Sequence, residues 1–174
     1  MVHNGLIMVY TGNGKGKTTA ALGLAMRAMG HGKKVYFLQF MKGSKNYGEV
    51  RLASSLPLLT LIQSGLETFV IKGSPSEEDL RLARQGLDAA KEAVMSGEYE
   101  LVVLDEINVA LDYNLIPLDE VLDLLRNKPV SLDLVLTGRY VPPQVLERAD
   151  LISEVQEVKH HYSSGVQARE GIEY

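Results

Sequence analysis

The stretch Leu6-Ile7-Met8-Val9-Tyr10-Thr11-Gly12-Asn13-Gly14-Lys15-Gly16-Lys17-Thr18-Thr19 decides the fold. Its first five residues form a continuous apolar run, too short for a helix and suited to a strand covered on both faces. Beyond the glycines, residues 18–29 place Ala20, Ala21, Leu24, Ala25 and Ala28 close to one helical face, and Gly30 and Gly32 stop the pattern. Strand, glycine-rich turn and helix in direct succession are the setting that a phosphate-binding loop requires. Glycines let consecutive N–H groups turn inward around anionic oxygens, and the helix start adds unpaired donors and the positive end of its dipole. Two lysines beside such a loop need an anion to offset their repulsion. Gly12, Asn13, Gly14, Lys15, Gly16, Lys17, Thr18 and Thr19 therefore read as the binding site for a nucleotide polyphosphate. Lys17 would reach the phosphates, and the Thr18 hydroxyl is placed for Mg2+. Thr11 stands where the GxxxxGK[ST] spacing has its first glycine, which implies a loop of different shape.

Outward from this loop, short apolar runs at 35–40, 58–62, 101–104, 132–136 and 151–158 read as further strands. Ser74-Pro75-Ser76-Glu77 reads as a capping box with proline at the first helical position, opening a helix to about residue 94. Further helices are expected at 118–125 and 143–149. This alternation predicts an α/β protein of the P-loop NTPase-like (RecA-like) kind, three layers with a mostly parallel central sheet. Residues 41–48 and 65–74 read as polar loops near the site.

The length of 174 residues fits one domain, taken as 1–174. No apolar run is long enough to cross a bilayer, and the first residues lack a signal-peptide layout, so a cytoplasmic location is expected. With no cysteine, thiolate catalysis and cysteine-ligated metals are excluded. A net charge of −4 argues against generic nucleic-acid binding, and the absence of tryptophan argues against an extended base-stacking surface.

Leu101-Val102-Val103-Leu104 runs into Asp105-Glu106, so two carboxylates stand at the C-terminal end of a buried strand, where open α/β sheets bind ligands. They resemble a Walker B element that would hold Mg2+ or, with water as nucleophile, supply a base. The alternative is that Asp105 caps a short helix beginning near Ile107, with Glu106 a solvated first-turn acid.

The loop TGNGKGKTT at 11–19, together with Gln39-Phe40-Met41-Lys42-Gly43, resembles the P-loop ATP:corrinoid adenosyltransferases. Val102-Val103-Leu104-Asp105-Glu106, Leu136-Thr137-Gly138-Arg139, and the ending from Val158-Lys159-His160-His161 to Gly171-Ile172-Glu173-Tyr174 agree in order and spacing, so the likeness spans essentially the whole chain. The resemblance implies transfer of the 5′-deoxyadenosyl group of ATP to the Co(I) of a reduced corrinoid, with release of triphosphate. ATP would lie reversed in the loop, its γ-phosphate where other P-loop enzymes place the α. Lys15, Lys17 and the loop amides would hold the leaving group, with Mg2+ (or Mn2+) on Thr18 and Glu106 and with Asp105 in support. Arg27 would lie near the nucleotide. Phe69 would sit on a loop that helps displace the lower axial ligand of cobalt, with Ile71 where some members carry a second aromatic. A flavodoxin-type reductant and a homodimer are further implications. With five residues ahead of the first strand, closure of the site is expected to depend on other loops or a second subunit.

Some residues stay open on sequence alone. Phe69 also reads as a core aromatic, Arg139 as a surface turn residue, and His160-His161 as polar residues of a terminal loop. The competing functions are a P-loop NTPase or small-molecule kinase producing ADP, and a nucleotide-regulated switch of the RecA-like or metal-carrier kind.

Overall fold

In the computed structural model, which describes residues 4–174, each short apolar run becomes a strand. These are β1 (Ile7–Thr11), β2 (Val35–Phe40), β3 (Leu59–Ser64), β4 (Leu101–Asp105), β5 (Asp133–Thr137) and β6 (Leu151–Glu154). They form one sheet in the order β3-β2-β4-β5-β1-β6, and every pairing is parallel. The helices are α1 (Lys17–Gly30), α2 (Gly48–Ala53), α3 (Glu77–Met95), α4 (Ile107–Asp112), α5 (Leu118–Asn127) and α6 (Pro143–Leu146), followed by a 3-10 turn at His161–Ser164.

The side-chain alternation of the strands creates the layers. Ile7, Val9, Tyr36, Leu38, Phe40, Val102, Leu104, Leu134 and Leu136 face one way, into a core completed by buried residues of α3, α4, α5 and α6. Met8, Val35, Phe37, Leu101, Val103 and Val135 face the other way, against Ala21 and Ala25 of α1. The alanines let α1 lie close to the sheet. Among the described residues, no helix is long and apolar enough to cross a membrane.

Three local expectations change. The capping box lies two residues further on: the Ser76 hydroxyl accepts from the Asp79 N–H (3.1 Å), and the Asp79 carboxylate accepts from the Ser76 N–H (2.9 Å). Both Ser74 and Ser76 have an acid three residues later, Glu77 and Asp79, and the box that forms is the second, so Pro75 precedes the helix instead of opening it. The run 151–158 gives a strand only to Glu154: the Val155 N–H makes the last bond to β1, at Thr11 O (2.8 Å), and the Val155 carbonyl then accepts from Gly14 N–H of the phosphate loop instead of from a strand (2.7 Å). The expected loop at 41–48 ends in α2, whose six residues are too few to show a helical period.

Parallel pairing places the C-terminal ends of β1, β2, β4, β5 and β6 along one edge. β5 stands between the strand that carries the glycine loop and the strand that carries the acidic pair. Sequence-distant loops thus meet where parallel sheets bind ligands.

Candidate active site

The turn after β1 is shaped by what lies against it. Gly12 has φ 96, and a Cβ there would fall 2.4 Å from Val155 O, so a side chain is excluded both by conformation and by space. Gly14 N–H donates to Val155 O at 2.7 Å, which fastens the loop to the segment after β6. Lys17 is only 7% exposed, and its Nζ donates to Gly12 O (2.7 Å) and Gly14 O (2.8 Å). Burial pushes its pKa below the ordinary lysine value, with Glu106 pulling it back up and Arg139 adding to the fall. A buried ammonium held by carbonyls alone is poised for a stronger anionic partner.

The acidic pair divides its work. Asp105 is fully buried, and its Oδ1 accepts from the hydroxyls of Thr18 (2.9 Å) and Thr137 (2.7 Å). Its Oδ2 pairs with Lys42 at 2.8 Å. Asp105 is therefore no helix cap. Glu106 holds the cap position of α4 in a left-handed conformation, φ 61, without a side-chain cap bond, and it lines the cavity. A bulky residue held at positive φ is strained and typical of a site. Burial, then the like charge of Asp105, raise the Glu106 pKa, against the pull of Lys42, Lys17 and Arg139.

Lys42 is the principal member that sequence reading leaves without a role. Register explains why it is there: β2 pairs with β4 so that Gln39 lies opposite Asp105, and the chain leaving β2 passes beside the carboxylate. Burial opposes the Lys42 charge, but Asp105, Glu106 and Glu49 more than offset that and raise its pKa. The loops after β2 and β3 support this position by touching backbone to backbone. A Cβ on Gly65 would lie 2.5 Å from Met41 C and Lys42 N.

Thr18, Asp105 and Glu106 offer hard oxygen donors of the kind Mg2+ takes. The Lys42 ammonium stands on Asp105 and 3.4 Å from the Thr18 hydroxyl. Among the described residues no group of three or more His, Asp or Glu could hold a metal.

The cavity beside the loop has a volume of about 760 Å³. One end is charged, with Lys15, Lys17, Thr18, Thr19, Lys42, Glu106 and Arg139; the other is apolar, with Leu22, Met26, Met29, Leu52, Leu56 and Leu59. Arg139 is brought into the site, and its guanidinium donates to Asn13 O (2.9 Å). Arg27, expected near the nucleotide, does not line this cavity. It lies on another face of α1 from Met26 and Met29, which line the cavity, and it borders a separate hollow with His31, Lys33 and Asp133. Phe69 is 98% exposed, so it is not a core aromatic, and it lies outside this cavity.

The chain end closes one side. Gly171, Ile172, Glu173 and Tyr174 line the cavity with His160. Lys15 Nζ contacts Glu173 Oε1 (2.5 Å) and Ile172 O (3.2 Å), while His161 lies 3.6 Å from the same carboxylate. Hydrogen bonds from Arg169 and Lys15 hold the Glu173 pKa down to about 2. Glu173 thus occupies a lysine assigned to the polyphosphate. Glu173→Gln is expected to tighten ATP binding by about 1.5- to 5-fold, the range set by a partly solvated ion pair. Calorimetric titration checks this, and unchanged or weaker binding would rule out competition between the carboxylate and the nucleotide.

The comparisons with known proteins agree with this geometry. By fold, the RadB recombinase structure superposes with a TM-score of 0.56 at 17% identity, covering 91% of this chain and 78% of that one. The likeness places the architecture in the RecA-like P-loop class. By sequence, the corrinoid adenosyltransferase of Escherichia coli K12 is 40% identical over 98% of this chain and 86% of its own length. That of Pseudomonas aeruginosa is 35% identical over 98% and 84%, and CobA of Salmonella typhimurium 38% over 98% and 86%. The family model for the ATP:corrinoid adenosyltransferases BtuR/CobO/CobP matches residues 3–174. With a loop, an acidic pair and a cavity that suit a nucleotide, and with likeness over nearly its full length, this chain belongs to the ATP:corrinoid adenosyltransferase family.

Proposed function

We propose that this transferase moves the 5′-deoxyadenosyl group of ATP onto the Co(I) of a reduced corrinoid and releases triphosphate. Within the family, the observation that carries the reading is the two-ended cavity: four cationic side chains surround the glycine loop, and an apolar wall continues from it. The charged end takes the polyphosphate, and the apolar end takes the adenosine side. In the transfer, the cobalt electron pair forms the bond to C5′, the C5′–O bond breaks, and triphosphate leaves with its electrons. Co(I) is itself the nucleophile, so no residue has to remove a proton, and the protein's task is alignment and stabilisation of the departing charge. Lys15, Lys17 and the amides of 12–19 hold the triphosphate, and Lys42 and Arg139 add positive charge to the same end.

Thr18 and Glu106 would hold Mg2+, with Asp105 orienting Thr18; the ion when bound supplies charge neutralisation for the phosphates. Phe69, exposed on the loop after β3, faces the corrinoid. A cytoplasmic single-domain protein, working as a homodimer with a flavodoxin-type reductant, completes the reading.

Incubation with ATP, Mg2+ and chemically reduced cobalamin tests it, by following the cobalt–carbon chromophore and the phosphate products. One triphosphate per adenosylated corrinoid is expected. ADP and phosphate without adenosylated corrinoid would overturn the reading in favour of an NTPase.

A further inference from the structure

The segment between β3 and α3 presents two large apolar side chains to solvent, Phe69 at 98% and Ile71 at 69% exposure, while Val70 between them packs into the larger core. A stretch with one side chain inward and its neighbours outward shows a defined face. A face on a loop keeps one direction only if the loop is held at more than one point. Val70 is the first point.

The second lies in the turn that follows. Ser74 N–H donates to Ile71 O (3.0 Å), with Gly73 at φ 84, so Lys72 occupies the crest of a tight turn. Its ammonium reaches out of the loop. Nζ lies 2.6 Å from Asp112 Oδ2, 5.6 Å from the centre of the Tyr113 ring and 5.5 Å from that of Tyr140. Both tyrosines line the nucleotide cavity. Asp112 ends α4, whose cap is Glu106, and Tyr140 follows Arg139, which reaches the phosphate loop. Tyr140 is held at φ 57, a conformation that a bulky residue keeps only where its surroundings impose it.

We propose that Lys72 is a positioning residue: by pairing with Asp112 and lying over the Tyr113 and Tyr140 rings, it fixes the Phe69–Ile71 face relative to the nucleotide cavity, so that a corrinoid on that face meets the adenosyl carbon. This rests on the reading of Phe69 as corrinoid-facing. A single exposed ion pair is weak, but two aromatic faces and a carboxylate converging on one ammonium define its place. The loop is thereby tied to both walls that carry the acidic pair and the arginine.

The test compares Lys72→Met, Lys72→Arg and Phe69→Ala, reading corrinoid KM, ATP Kd and thermal midpoint for each. Methionine keeps an apolar stem and removes the charge. Lys72→Met is expected to raise the corrinoid KM about 10-fold, as loss of a pre-organised docking face would, with ATP Kd within about twofold of wild type and the midpoint unchanged. Lys72→Arg, which can still pair and stack, restores the KM. An unchanged KM in Lys72→Met alongside an impaired Phe69→Ala overturns the clamp and leaves the corrinoid face standing. Silence in both variants overturns both. An ATP Kd that rises in step with the corrinoid KM also overturns the proposal, because Lys72 would then act on the nucleotide wall.

Discussion

Replacing Lys17 with alanine is expected to slow adenosyl transfer by roughly 10²- to 10³-fold, the usual cost of deleting a pre-organised donor aimed at a departing anion. The residue is buried, and its ammonium rests between the Gly12 and Gly14 carbonyls. Those carbonyls are neutral, and burial already depresses the pKa of the ammonium, so its charge is poorly compensated until a polyphosphate arrives. As C5′ leaves, negative charge grows on the bridging oxygen, and a fixed cation in a dry pocket stabilises that change more than it stabilises bound ATP. Lys17→Arg should recover little, because a planar fork does not fit a position closed by two carbonyls within 2.8 Å. Single-turnover rates beside ATP affinity and thermal midpoint separate the roles. A large loss of rate with a modest change of midpoint fits the argument, and wild-type turnover in Lys17→Ala would sink it.

Legibility in the sequence follows the range over which each feature is determined. The phosphate loop and the acidic pair are readable because spacing along one strand–turn unit fixes them. The layered parallel architecture is readable because apolar runs and helical periods alternate. Lys42 is not readable as a partner of Asp105, since the two meet only through the β2–β4 register. Glu173 is further still from any local signal: 158 residues separate it from Lys15. Arg139 illustrates the middle case, where the turn after β5 is visible in Thr137-Gly138-Arg139 but the direction of the side chain depends on the neighbouring loop. The shifted capping box shows a local ambiguity between two serines, since Ser74 has Glu77 and Ser76 has Asp79 at the third position, and spacing alone does not choose between them. Arg27 is a different case: Met26 and Met29 line the cavity while Arg27, between them, turns to another hollow, a difference of helix face that resemblance alone does not show.

Asp105→Ala is expected to destabilise the fold by about 3–5 kcal/mol, as breaking a buried ion pair from one side does. A chain of this size then loses roughly 2–4 °C of thermal midpoint per kcal/mol, or about 6–20 °C in all. The reason is what remains behind. Lys42, whose side chain is 16% exposed, would keep its charge without the carboxylate 2.8 Å away, and the Thr18 and Thr137 hydroxyls would lose a shared acceptor. Asp105→Asn keeps an acceptor for the hydroxyls but cannot neutralise the ammonium, so it should fall between alanine and wild type. Adding Lys42→Met to Asp105→Ala removes the stranded charge and should recover part of the midpoint, a coupling that a double-mutant cycle measures. If the double variant melts no higher than Asp105→Ala alone, the stranded ammonium is not the source of the loss. Transfer should remain impaired in the double variant even where stability returns, because Thr18 has lost the carboxylate that orients its hydroxyl. The same buried acid thus serves the fold through Lys42 and the site through Thr18, and only the first of these roles can be replaced by an apolar pair.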